Sequence, residues 1–337
     1  MPTMDTVLTG ITTTGTPHIG NYVGAIRPAV TASTREDART FFFLADYHAL
    51  VKSTDPDQIA RSTLEIAAAW LASGLDPEKV VLYRQSDIPE IPELAWILTC
   101  VTAKGLMNRA HAYKAAVAEN EAGAGKDPDR GITMGLFSYP ILMAADILMF
   151  KANKVPVGRD QKQHVEMARD VAARFNHHFG KTFVLPDAVI NDETAVLPGL
   201  DGRKMSKSYG NTIPVFLPEN RLRKAFMKIR TNSQLPHEPK DPDDSTLFAI
   251  YKAFATPGET EAMRARYREG IGWGDMKRFL FEYVNDHLSA AREEHGRLLA
   301  APDHVERLLR QGAMKARAVS RPFLDEIRSR VGLRPLG

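Results

Sequence analysis

The sequence predicts an α/β fold, a doubly wound parallel sheet with a C-terminal all-α domain. Three observations carry this. From residue 6 to about 180, short apolar runs alternate with helical patterns, as strands joined by helix crossovers do. The run "TFFFLAD" (40–46) is apolar without alternation, the mark of a strand buried on both faces. Beyond about Pro218 strand patterns stop and helical ones continue.

Each element has its own warrant. "TVLTG" (6–10) reads as a short strand ending at Gly10. Ile19, Val23 and Ile26 then fall at helical spacing. "DPDQIARSTLEIAAAWLASG" (55–74) has a Pro near its start, an apolar side of Ile59, Ile66, Ala67, Trp70 and Leu71, and Gly74 as a stop. "KVVLYRQSD" (79–87) is a strand, and 92–110 one helix. Trp70, Trp96 and Cys100 read as core. The Gly-, Ala- and charge-rich stretch 118–131 marks a mobile surface insertion near 104–135. A helix over 139–153, a strand at 154–158 and a helix closed by Gly180 follow. Four helical segments fill the tail, at 219–229, 245–255, 274–300 and 302–331. The expected division is 1–217 and 218–337.

Composition bounds the function. The chain has 337 residues, 44% hydrophobic and 25% charged, enough for one large domain or two ordinary ones. No apolar run reaches the roughly 18–20 residues of a membrane span, and "MPTMDTVLTG" lacks the blocks of a secretory signal. With Cys100 the only cysteine, an intramolecular disulfide and a Cys-based metal site are excluded. A cytoplasmic location is the expectation. Net charge is only +3, but Arg203 to Arg230 holds eight Lys/Arg against Glu219 alone, which favours phosphate-bearing partners.

The stretch "TTTGTPHIGNYVGAI" (12–26) follows the first strand, at the carboxyl ends of the strands, where such folds bind ligands. Gly10, Gly15 and Gly20 permit close approach to the backbone, and the hydroxyls of Thr12, Thr13 and Thr14 can donate. His18 and Asn21 stand at a helix mouth that favours anions. Neither a Walker A loop nor a G-x-G-x-x-G fingerprint occurs. Alone, the stretch reads equally as a Gly/Thr-rich turn with a solvated histidine. "KMSKS" (204–208) sets Lys204 and Lys207 three residues apart among small hydroxyl residues. Two cations on one loop suit charge that develops on a departing pyrophosphate.

The pair resembles the HIGH and KMSKS signatures of class I aminoacyl-tRNA synthetases, the first reading His18-Ile19-Gly20-Asn21 here. "YPILMAADIL" (139–148), "VPVGRDQKQHVEMARD" (155–170), "HIGNYVGAI" and "DYHAL" resemble the tryptophanyl branch of that family. The resemblance covers essentially the whole chain. It implies a Rossmann-like sheet of the HUP type and ligation of L-tryptophan to the 3′ end of tRNA(Trp) through an adenylate formed from ATP. His18, Asn21, Lys204, Ser206 and Lys207 would be catalytic. Thr12, Thr13, Thr14, Gly20, Gly158, Asp160, Val196, Met205 and Ser208 would join them around ATP, with Mg²⁺ arriving on the nucleotide and no metal site in the chain itself. The resemblance further implies an anticodon-binding helical tail and a homodimer with its interface near helices 92–117. A tyrosyl enzyme, or more remotely a small-molecule nucleotidyltransferase, are the alternatives.

Indole offers a large apolar surface and one N–H that only donates, so its pocket needs one acceptor in apolar walls. Asp146 lies among Leu142, Met143, Ala144, Ala145, Ile147 and Leu148, where a carboxylate is costly without a partner. The resemblance implies that it reads the indole N–H and places Leu8, His48, Tyr139, Met143, Val155, Val157 and Gln161 around the amino acid. By its residues alone, His48 reads as a core histidine. Thr12-Thr13-Thr14 replaces a Gln-Pro-Ser segment usual in the family, and Leu8 a common aromatic. Of two usual loop lysines only Lys114 is kept, with Ala116 in place of the second and Lys126 as a substitute.

Overall fold

The computed structural model describes residues 4–123, 127–190 and 197–334. Five strands form one sheet: β1 (Asp5–Thr12), β2 (Ala38–Ala45), β3 (Val81–Arg84), β4 (Lys154–Val157) and β5 (Asp187–Ile190), in the order β3-β2-β1-β4-β5. Every pairing is parallel, with Leu8 opposite Phe41 and Thr12 opposite Ala45. The order reverses beside β1, so a crevice opens at the carboxyl ends of β1 and β4. The expected sheet is present. β5 has no counterpart in the sequence reading, because its four residues alternate between exposed and half-buried and form no apolar run.

β2 shows why the sheet needs helices on both sides. Phe41 and Phe43 face one core with Leu8 and Tyr83, while Phe42 and Leu44 face another with Ile66 and Trp70. Phe41 stacks on Phe150 at 4.7 Å between ring centroids, and Phe42 meets Trp70 edge-on at 5.5 Å. The helix Pro56–Ala72 starts where expected, its N-cap Asp55 accepting from the Gln58 N–H.

The single helix expected over 92–110 is two, Glu90–Val101 and Lys104–Met107, because Thr102 and Ala103 adopt extended backbone. The first of these buries Ile91, Leu94, Ile97 and Leu98. Trp96 and Cys100, four residues apart and so on one face, therefore point outward; Trp96 is 69% exposed, and neither is core. The insertion region carries the helix His111–Ala122. In the tail, a helix Pro257–Glu269 joins the expected ones, opened by a capping box between Thr256 and Glu259.

Packing crosses the expected boundary at 217/218. Ile19, Val23, Leu197 and Met205 share a core with Leu222, Phe248, Met276 and Leu280 of the tail helices. The last helix, Pro302–Arg330, returns to the sheet and covers the edge strand β3. Arg84 binds Glu306 through two contacts of 2.9 and 3.1 Å, Arg317 binds Glu90 at 3.0 Å, and Arg328 grips Glu93 at 2.5–2.6 Å. A Cβ on Gly312 would lie 1.6 Å from the Leu82 carbonyl oxygen, so only glycine lets the helix lie this close. Gly312→Ala should therefore lower unfolding free energy by about 1–3 kcal/mol, since the obstacle is backbone, as urea denaturation midpoints would show.

Candidate functional site

Two cavities meet at the crevice. An apolar one of about 410 Å³ is walled by Leu8, Gly10, Phe43, Tyr139, Met143, Ile147, Val155 and Val157. A polar cleft of about 970 Å³ is lined by the turn after β1, by 158–161 and by 204–208. Thr12, Lys52 and Gln161 line both. Gly10 is required here, because a Cβ would sit 2.3 Å from the Phe43 ring.

The cleft is held shut at one end by main chain. The Ile19 N–H donates to the Ile213 carbonyl at 2.9 Å, and the Val215 N–H to that of Pro17 at 3.0 Å. Met205 N–H donates to the Leu197 carbonyl, and Asn211 ties Ser206 N–H to its Oδ1 at 2.8 Å and the Asp201 carboxylate to its Nδ2 at 2.7 Å. The lysine-bearing loop is thereby folded onto the N-terminal turn. Lys207 donates to the carbonyls of Thr14 and Gly15 at 2.7 and 2.8 Å. Burial holds its ammonium below the usual lysine range. Neutral carbonyls are weak partners for such a cation compared with phosphate oxygens.

His18 caps its own helix. Its Nδ1 accepts from the Asn21 N–H at 3.2 Å, while Asn21 Oδ1 accepts from the His18 N–H at 3.1 Å. The bond to Nδ1 leaves the ring proton on Nε2, which makes that atom a donor. Burial, with Lys207 adding to it, lowers the His18 pKa to about 4, so the ring is neutral in the physiological range. Gly20 lies under the ring, a Cβ there being 3.0 Å from it.

Asp146 is fully buried on the helix Met134–Met149. Gln85 Nε2 donates to its two oxygens at 2.8 and 3.0 Å, and His48 Nε2 to Oδ2 at 3.0 Å. Gln85 is in turn oriented by accepting from the Tyr47 N–H at 3.1 Å. Burial pushes the carboxyl up, and the His48 and Gln85 bonds oppose it. The helix turns Leu136, Tyr139, Met143 and Ile147 to the apolar cavity; Asp146, on the flank of that stripe, stands behind His48 and does not itself line the wall. His48 is a wall residue, not a core one. A second chain runs from Tyr139 Oη to His164 Nε2 at 2.6 Å, from His164 Nδ1 to Gln161 Oε1 at 2.9 Å, and from Gln161 Nε2 to Asp160 at 3.2 Å. It links the two cavities.

Of the residues expected at the nucleotide, Thr12, Thr14, His18, Gly20, Asn21, Gly158, Asp160, Lys204, Met205, Ser206, Lys207 and Ser208 line the cleft. Thr13 does not: it is wholly buried, and its hydroxyl has no partner among the described residues. It lies just past the end of β1, in a tight turn where the Thr14 N–H donates to the Thr12 carbonyl at 3.0 Å. Val196 and Lys126 lie outside the described residues. All the residues expected at the amino acid, Asp146 excepted, line the apolar cavity. Gln85 and Lys52 were missed; a polar residue directly after a buried strand was the available signal for Gln85.

The sequence pattern of tRNA synthetases class I (W and Y) matches residues 4–289. The curated tryptophan–tRNA ligase of Pseudomonas aeruginosa is 62% identical over 333 residues, 98% of this chain and 74% of that protein. That of Neisseria meningitidis is 57% identical over 98% of each. A solved tryptophanyl-tRNA synthetase from Campylobacter jejuni, complexed with ADP and tryptophan, superposes with a TM-score of 0.87 at 43% identity, covering 97% of this chain and all of that one.

With a His18 pKa of about 4 against 6.5 for a free histidine, the unfolded chain takes up a proton between these values that the folded one refuses. Folding stability should fall as pH drops through that window, and ring-proton NMR should give His18 a midpoint near 4.

Proposed function

The chain belongs to the class I tRNA synthetases for tryptophan and tyrosine, and on that premise we propose how its site performs the tryptophan–tRNA ligase reaction. A tryptophan carboxylate oxygen attacks the α-phosphorus of ATP and pyrophosphate departs. A hydroxyl at the 3′ end of tRNA(Trp) then attacks the resulting anhydride and displaces AMP. The carboxylate is already ionised, so positioning and charge stabilisation do the work, with no strong base.

The observation that carries this reading is Lys207 resting on the Thr14 and Gly15 carbonyls, across a cleft that abuts an apolar cavity. ATP lies in the cleft, its phosphates over the helix mouth at Ile19. His18 donates from Nε2 and stays neutral, so it adds no charge that would trap product. Lys207 leaves its carbonyls for the phosphates, and Lys204 and Ser206 join it on the departing pyrophosphate. Among the described lining residues the cleft holds four cations, Lys52, Arg159, Lys204 and Lys207, against Asp160. Mg²⁺ would come with the nucleotide and neutralise phosphate charge there.

The indole fills the apolar cavity. The Asp146 carboxylate has about four acceptor positions. Gln85 and His48 occupy three of them, so Asp146 acts from behind the wall, holding the His48 ring against the indole. Tyr139 and Gln161, fixed through His164, hold the amino group. The tail helices and the basic stretch 203–230 contact tRNA. The enzyme is a homodimer through the outward face of the helix Glu90–Val101, where Trp96 stands 69% exposed. No helix among the described residues is long and apolar enough to cross a membrane, and the cytoplasm is the location we assign.

ATP–pyrophosphate exchange tried with all twenty amino acids should run with tryptophan alone; exchange driven by tyrosine instead would refute the assignment. The double variant Lys204→Ala, Lys207→Ala should lose about 10²-fold or more of the tryptophan-dependent kcat. In Asp146→Asn, initial-rate kinetics should show a KM for tryptophan about tenfold or more higher, because His48, a wall residue, loses its hydrogen bond to a charged group.

A further inference from the structure

Lys52 has no role in the chemistry above beyond its charge. With Thr12 and Gln161 it lines both cavities, so it stands where they open into each other. The end of the short helix Asp46–Ala49 puts it there, the Lys52 and Ser53 N–H groups both donating to the Ala49 carbonyl at 2.9 and 3.0 Å. Its neighbours Val51 and Ser53 line the cavity and the cleft respectively. The side chain is exposed, and among the described residues its ammonium has no hydrogen-bond or ion-pair partner. Lys207 feels its repulsion, with Glu65 acting the other way. Lys52 thus stands where the cavities open into each other, and Lys207 lies in the cleft within range of its charge.

That opening is where the reacting groups must meet. One is a carboxylate and the other an α-phosphate, and both are anions. Attack requires them to approach to about 3–3.5 Å, and their repulsion opposes it. We propose that the Lys52 ammonium bridges the tryptophan carboxylate and the α-phosphate and offsets that repulsion as they approach. This rests on the tryptophan-activating reading. In the step, a carboxylate oxygen bonds to the α-phosphorus, the bond from that phosphorus to the oxygen of the β-phosphate breaks, and its electron pair leaves on pyrophosphate. Lys52 keeps its proton throughout. Lys204 and Lys207 serve the leaving group; Lys52 serves the entering one.

The test uses the full chain and its Lys52→Met and Lys52→Arg variants, with thermal melting to show that the fold is kept. In ATP–pyrophosphate exchange, Lys52→Met should lose about 10²-fold in kcat, while Lys52→Arg, which keeps the charge, should recover at least about a tenth of the wild-type rate. Calorimetric titration of tryptophan with and without Mg-α,β-methylene ATP gives a readout that a structural role would not move. In Lys52→Met the analogue should weaken tryptophan binding about tenfold relative to its effect in the wild type, but leave tryptamine, which lacks the carboxylate, unaffected. A Lys52→Met kcat within threefold of wild type, or equal effects on tryptophan and tryptamine, would overturn the proposal. Failure of the wild type itself to exchange with tryptophan would overturn the underlying reading instead.

Discussion

The site depends on a short length of main chain crossing main chain. Two hydrogen bonds, Ile19 to Ile213 and Val215 to Pro17, fasten the turn after β1 to the segment that carries Lys204 and Lys207. Residues almost two hundred positions apart share one cleft because of them. Backbone bonds of this kind do not depend on side-chain identity, so they hold position while the side chains remain free for chemistry. The apolar residues beside them, Ile19, Val23, Leu197, Met205, Ile213 and Val215, anchor the join in the same core as the tail helices. The join at the cleft and the tail helices therefore share one core.

Charge is divided between the two cavities by the same geometry. Cations and a helix mouth gather at the polar cleft, while the apolar cavity admits a buried acid only behind its wall. Asp146 is tolerable because Gln85 and His48 both donate to it. Neutral His18 shows the complementary solution, a titratable ring kept uncharged by burial and by a neighbouring cation so that it acts as a fixed donor. The chain from Tyr139 through His164 and Gln161 to Asp160 ties the two halves together with oriented hydrogen bonds.

The last helix gives the sheet its other constraint. A parallel sheet leaves its edge strand with unpaired backbone groups, a template for unwanted pairing. Here the helix Pro302–Arg330 covers β3 at a distance that only Gly312 allows, and ion pairs to Arg84, Glu90 and Glu93 fix its register. Two of those acids open the helix whose outer face carries Trp96. The C-terminal helix thus supports the catalytic half and does not stand apart from it.

The sequence alone determined the alternation of strands and helices, the doubly buried β2, and the two motifs with their small and basic residues. Each of these is local: periodicity, caps and turn residues act within a few positions. What only the tertiary structure decided is rotation and juxtaposition. The helix Glu90–Val101 could bury Trp96 or Leu94, and the packing surface chose Leu94. Thr13 and its neighbours have the same chemistry, but the turn after β1 buries Thr13 and leaves Thr12 and Thr14 at the cleft. Gln85 became a partner of Asp146, and Lys52 a neighbour of both cavities, only when distant elements met. A linear pattern states which faces are apolar; which neighbour each face meets is settled by the long-range packing that closes the fold.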